Sequence, residues 1–212
     1  MGNKNNRGRI PAPRAVELYA ERKLAEKQLA ERQQAEKLAL EKQQAEELIR
    51  SFDPSTVPQH DLMTIEHVKD TKKLIIDLDF MNRGFIVNMA SLLETLPVYA
   101  PFIVDITIRL YAPAKHTTQA LYKDRKASMK KMVNILNKFN VNKMDIIIGL
   151  NSDNFLQMRL AAFVHGLNFQ KWTMSYHIFD QEGETALVAT MGRGSVYGRR
   201  LHGVYKAEFQ AQ

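Results

Sequence analysis

Cysteine is absent from the 212 residues. That excludes a disulfide scaffold, a thiolate zinc site and a thiol nucleophile. Long apolar runs are missing as well; none approaches the roughly 20 residues needed to cross a bilayer. The first residues lack the apolar core of a secretory signal. The chain starts Met1-Gly2, but Asn6 stands where the myristoylation pattern wants Ser or Thr. With no export signal and no cysteine, an intracellular location, cytoplasmic or nuclear, is the expectation.

What is present fits a soluble globular protein. Hydrophobic residues make up 45% and charged residues 25%, enough apolar material for one core. The length fits one domain, or one domain with an appendage. Thirty Lys and Arg face 23 Asp and Glu, a net charge of +7. That is mildly basic, below the density of a dedicated nucleic-acid binder. The excess is unevenly spread. Residues 1–19 hold Lys4, Arg7, Arg9 and Arg14 against Glu17, residues 20–50 sum to zero, and the remainder sits beyond residue 50. Four segments are expected: a disordered basic tail at 1–14, a long charged helix at 15–50, a linker at 51–70 and an α/β domain at 71–212.

Residues 20–49 read as six five-residue units, AERKL, AEKQL, AERQQ, AEKLA, LEKQQ and AEELI. All their residues are strong helix formers, with no Gly or Pro among them. Opposite charges recur four apart, at Arg22–Glu26, Lys27–Glu31, Arg32–Glu36, Lys37–Glu41 and Lys42–Glu46, which supports a helix even without a partner. The cation comes first, the weaker orientation. A five-residue step turns about 140° around a helix, so the repeat makes no fixed face. Leu18, Leu29 and Leu40 recur every eleven residues, a period compatible with a right-handed supercoil. Lys27, Glu31 and Lys42 interrupt the opposite side. The arm therefore reads as a spacer, with a weak coiled coil, and hence a homo-oligomer through residues 15–50, as the alternative.

From residue 71 the pattern alternates between strand and helix. Leu74–Phe80, Phe102–Tyr111, Lys143–Leu150 and Lys171–Phe179 each alternate apolar and polar, the mark of a half-buried strand. Phe85–Leu96, Leu121–Phe139 and Asn154–His165 read as helices between them. Thr185–Thr190 and Val204–Phe209 are weaker strand candidates that would form a hairpin. For residues 51–70 a short helix or an edge strand is the alternative to a linker. Such an order predicts parallel neighbours joined by right-handed crossovers. A sheet covered on both faces would be apolar on both sides of each strand, yet these strands keep one polar side. The expected fold is therefore α/β: a two-layer domain, a mostly parallel sheet of four to six strands, and helices on one face. Apolar positions starting at 76, 104, 144 and 172 hint at a repeated β–α unit, although the leucine and asparagine signature of leucine-rich repeats is absent.

The polar sides would display Asp77, Asp79, Asp105, Thr107, Arg109, Asp145, Thr173, Ser175 and His177 on one open face. Strands lie about 4.8 Å apart, close enough for these groups to form one surface. Asp77-Leu78-Asp79 resembles the first motif of haloacid-dehalogenase-type phosphotransferases. There the first Asp is a nucleophile, the second an acid/base, and both bind magnesium. That resemblance implies a magnesium-dependent phosphohydrolase, but Phe80-Met81-Asn82 departs from the small, turn-forming continuation of the motif. The six histidines show no ligand spacing, and no metal or cofactor is expected. Gly194-Ser195-Val196-Tyr197-Gly198 is neither a nucleophile elbow nor a phosphate-cradling loop.

Two basic clusters remain. Lys123, Arg125, Lys126, Lys130 and Lys131 lie near the start of the second helix; Arg193, Arg199 and Arg200 share a glycine-containing loop with Tyr197. Together they could follow a phosphate backbone, Tyr197 offering a stacking surface. The leading expectation is a non-enzymatic module that binds a protein partner on the polar sheet face and uses the arm for reach or self-association. A nucleic-acid-associated protein is second, a phosphohydrolase at Asp77 and Asp79 third.

Overall fold

The structure is a computed structural model that describes residues 12–68, 71–80, 88–111, 118–150, 155–168, 171–179, 185–191 and 194–210. The chain divides into two compact units, 1–47 and 48–212. The first, over its described residues, is a helix. Helix α1 runs Ala12–Ser51, its last residues belonging to the second unit; forty residues at 1.5 Å rise span about 60 Å. It starts earlier than residue 15 because Pro13 falls in its first turn, where a missing N–H costs nothing. Of the expected tail, residues 1–11 lie outside the described residues. Lys27–Glu31, Lys37–Glu41 and Lys42–Glu46 each approach to 3.9 Å. Leu24, Leu29, Leu38 and Leu40 are all more than half exposed, as a repeat that winds around the axis requires.

In the second unit six strands form one sheet: β1 Met63–Val68, β2 Thr71–Asp79, β3 Asp105–Tyr111, β4 Lys143–Leu150, β5 Trp172–Phe179 and β6 Thr185–Met191. Their order across the sheet equals their order along the chain. β2 to β5 are parallel; β1 and β6 pair antiparallel at the two edges. Right-handed crossovers that always advance in the same direction put every connection on the same side. Helices α2 (Met89–Thr95) and α3 (Gln119–Leu136), a run of 3₁₀ turns at Phe155–Gly166, and α4 (Val196–Val204) accordingly pack there. The fold is α/β, with a mostly parallel sheet and a long N-terminal helix.

The covered face is a dry layer. Leu74, Ile106, Met144 and Trp172 stand in register across four strands, with Ile76, Ile108, Ile146 and Met174 in the next row, all buried. Each such aliphatic side chain removed from water contributes about 1.5–3 kcal/mol. The in-register row begins at 74 and 106 rather than at 76 and 104, so the starting positions read from the sequence do not fall in one row. Ile103 joins this core. Side chains hold the helix ends: Asn88 Oδ1 accepts from the Ser91 N–H, Thr118 Oγ1 from Leu121 and Ser195 Oγ from Gly198.

Two expectations need correction. Residues 51–70 are not a bare linker: Phe52, Leu62 and Met63 are buried and β1 extends the sheet, the edge-strand alternative. Phe52 stacks on Phe102 with ring centroids 4.3 Å apart and meets Tyr99 edge-on, which anchors the segment. Val204–Phe209 is not a strand. α4 ends at Val204 and Tyr205–Gln210 continues as a π-helical turn that buries Phe209. Alternation in so short a run cannot be told from a helix face when tertiary contacts decide. Among the described residues no helix is long and apolar enough to cross a membrane.

Candidate functional site

The uncovered face is organised in rows. Register sets Glu66 beside Lys73, Lys73 beside Asp105 and Asp105 beside Lys143. The signs alternate across four strands, so Lys73 and Asp105 each stand between two opposite charges, while Lys143 has Asp105 on one side and Lys171 on the other. In the next row stand Ile75, Thr107, Asp145 and Thr173; in the third, Asp77, Arg109, Ile147 and Ser175; in the fourth, Asp79, Tyr111, Gly149 and His177.

Several of these groups are tied to one another. Arg109 Nη1 lies 3.6 Å from Asp77 Oδ1. Lys143 Nζ lies 3.0 Å from Asp145 Oδ2, and Thr173 Oγ1 donates to Asp145 Oδ1 at 2.6 Å. Burial pushes the Asp145 carboxyl up; the hydrogen bonds from Thr173 and Lys143, with the charges of Lys143 and Lys73, outweigh it and hold the group below the usual carboxylate range. Tyr111 is shifted up, first by burial; Arg109 opposes the shift and Asp77 and Asp79 add to it.

Of the nine residues expected on this face, eight are half-buried or exposed. Thr107 is the exception, at 2% exposure. It sits on a central strand between Ile75 and Asp145, with Asp105 and Arg109 two positions away along the same face. Buried, it is not available to a partner. Sequence reasoning missed Glu66, Lys73 and Lys143, whose even spacing with the face residues was the signal. Counting them, and Lys171, which the β4/β5 register sets beside Lys143, five carboxylates face four cations among the described residues, a slight acidic excess on a chain that is basic overall.

Asp77 and Asp79 share this face, with Asp77 engaged by Arg109. Residues 81–87, the continuation that a phosphotransferase loop would need, lie outside the described residues. Among the described residues no three His, Asp or Glu side chains group as a metal site. Nothing in this geometry adds support to a phosphohydrolase.

The basic clusters divide differently from expectation. Arg193 lies outside the described residues, and Arg199 and Arg200 stand on α4 rather than in a loop. Arg125 leaves its cluster: at about 100° per residue it points with Met129 and Met132, its guanidinium 4.4 Å from the Phe80 ring, and burial lowers its pKa. Lys123 and Lys131 are exposed, Lys126 and Lys130 half-buried. Tyr197 is half-buried between Phe155 and Tyr176, with centroids at 6.3 and 5.7 Å. Arg200 lies over Phe155 at 4.2 Å.

Between the clusters is a junction with no obvious sequence signal. Tyr122 of α3 donates to Glu208 Oε2 at 2.6 Å, and Arg159 donates to Glu208 Oε1 while lying 4.9 Å from the Tyr122 ring centroid. Burial shifts Tyr122 strongly up, and its hydrogen bond to Glu208 adds to the shift. Burial pushes Glu208 up, but its bonds to Tyr122 and Arg159 prevail and leave it low. No family model, curated protein or solved structure matches the chain.

Proposed function

We propose that the protein is a non-enzymatic interaction module that docks a protein partner on the open face of its sheet, with α1 supplying reach. One observation carries the reading. All crossovers lie on one side of the sheet, while the other side presents ordered rows of charge with an acidic excess. Internal pairing holds these side chains in place before binding, which lowers the ordering cost of association. The excess of carboxylates fits a partner segment rich in Lys or Arg. The arm supports reach rather than pairing because its leucines are spread around the axis and its charges are matched within one helix.

Lysine-directed cross-linking of complexes captured with the full chain tests this. Lys73 and Lys143 should cross-link to the partner, and Asp105→Lys should abolish capture while Lys138→Glu leaves it intact. Cross-links confined to lysines of α1 or α3 would exclude the sheet face.

A further inference from the structure

We propose that the adjoining N-terminal ends of α3, the Phe155–Gly166 segment and α4 form a binding surface for single-stranded nucleic acid. The three elements run side by side in the same sense. At one end Tyr122 meets Arg159 and Phe155 meets Tyr197. At the other, Asn137 donates to the Gly166 carbonyl and His165 meets His202 at 5.0 Å. Two basic clusters far apart in sequence are thereby brought to a common end, with Arg159 between them.

Arg159 is engaged by Glu208, so the cations left to meet phosphate at this end are the exposed Lys123, Arg199 and Arg200 and the half-buried Lys126, which lies over the Tyr122 ring; Arg199 also donates to the Gly194 carbonyl. Of these, Arg200 has the geometry that selects a ligand class. It is exposed, and the ring of Phe155 backs its guanidinium from 4.2 Å, so the outward side can stack a splayed base. Tyr197 lies beside Phe155. Exposed Leu121, Leu156 and Val196 occupy the first turns of the same three elements, apolar contacts of the kind that unstacked bases and riboses accept. A positive track interleaved with stacking planes is what a single strand needs. An anionic membrane needs only the charge and an apolar face, and makes no use of a ring-backed guanidinium.

Fluorescence anisotropy of a labelled mixed-sequence 20-nucleotide RNA with the full chain tests the proposal. If the four cations each neutralise a phosphate, the log–log salt slope is about −3, so affinity falls about 50-fold between 50 and 200 mM salt. Lys123→Glu and Arg200→Glu should each weaken binding about tenfold or more. Arg200→Lys, which keeps charge but loses the plane, should still cost about fivefold. Lys138→Glu, exposed beyond the far end of α3, should change nothing. Absence of binding overturns the proposal. So does binding insensitive to Arg200→Glu, which would assign it to the tail carrying Lys4, Arg7, Arg9 and Arg14. Equal affinity for phosphatidylserine vesicles with the same variant pattern would mean a membrane surface instead. Cross-links to the sheet face and loss of RNA binding are separate readouts, so this surface and the sheet face stand or fall independently.

Discussion

Tyr122 donates its hydroxyl proton to Glu208, a residue 86 positions further along the chain. The bond joins α3 to the C-terminal π-helical turn, and Arg159 ties the 155–166 segment into the same junction. Three helical elements thus share one carboxylate. Hydrogen bonds to charged groups contribute more than neutral ones, and a partner left unsatisfied costs more still.

Glu208→Ala should therefore destabilise the fold by roughly 1–2 kcal/mol, the partial exposure of Arg159 having been discounted. Thermal denaturation at neutral pH checks this. Glu208→Gln keeps an acceptor for Tyr122 and should cost less.

The same junction sets a pH window. Glu208 has a folded-state pKa below its ordinary 4.5. Its contribution is whole above that value and is lost as pH falls through the lower, folded one. Tyr122 is shifted the other way, above its ordinary 10.0, so its contribution is whole below pH 10 and is lost as pH rises beyond it. The difference in Tm between wild type and Glu208→Gln should shrink below about pH 4.5, and Tyr122→Phe should flatten the alkaline limb above about pH 10. A constant difference across the acid range would remove Glu208 from the account.

Much of the fold follows from period-two alternation. Ile76, Leu78, Ile106, Ile108, Ile146 and Ile148 announce three strands, and the polar residues between them announce an uncovered face. Strand order was not written in any residue, but right-handed crossovers and one-sided burial together leave few arrangements. Legibility ended where contacts decide. Phe52 falls in a stretch that reads as a linker because its partners Tyr99 and Phe102 are distant in sequence. Arg125 looked like one of five surface cations because only the fold brings Phe80 to it. Glu208 and Arg159 carried no motif; they become a pair only when the C-terminal turn packs.

Phe52 offers a direct test of where the folded unit begins. Its ring is 4% exposed and stacks on Phe102. Phe52→Ala should cost about 3–5 kcal/mol, the range for a buried aromatic whose cavity cannot collapse. Leu24→Ala, at a position 58% exposed, should leave the melting of the sheet unit unchanged. Equal effects of the two would mean that residues near 52 are a linker after all.

Thr107 carries a buried hydroxyl with no hydrogen-bond partner among the described residues. Valine has nearly the same shape, suits a central strand better and buries no polar atom. Thr107→Val should therefore stabilise the protein by about 1 kcal/mol. Because the side chain is buried, the variant should also leave capture of a sheet-face partner unchanged. Stabilisation is read from denaturant midpoints, and a loss of stability would show that the hydroxyl is satisfied.

Gly166 stands where α3, the 155–166 segment and the C-terminal turn converge. A Cβ there would come within 2.9 Å of the Tyr205 hydroxyl oxygen and 3.2 Å of Val133 Cγ1. The tyrosine can give way only by disturbing its stack on Phe209, whose centroid lies 6.0 Å off. Gly166→Ala should cost about 1–3 kcal/mol, the usual penalty for overpacking. Tyr205→Phe removes the closest atom, so the double variant should recover part of that loss. The coupling is read from a double-mutant cycle of denaturation free energies. Strict additivity would mean that the Tyr205 hydroxyl does not enforce glycine at this position, leaving the 3.2 Å contacts to Tyr205 Cε2 and Val133 Cγ1, which remain in both backgrounds.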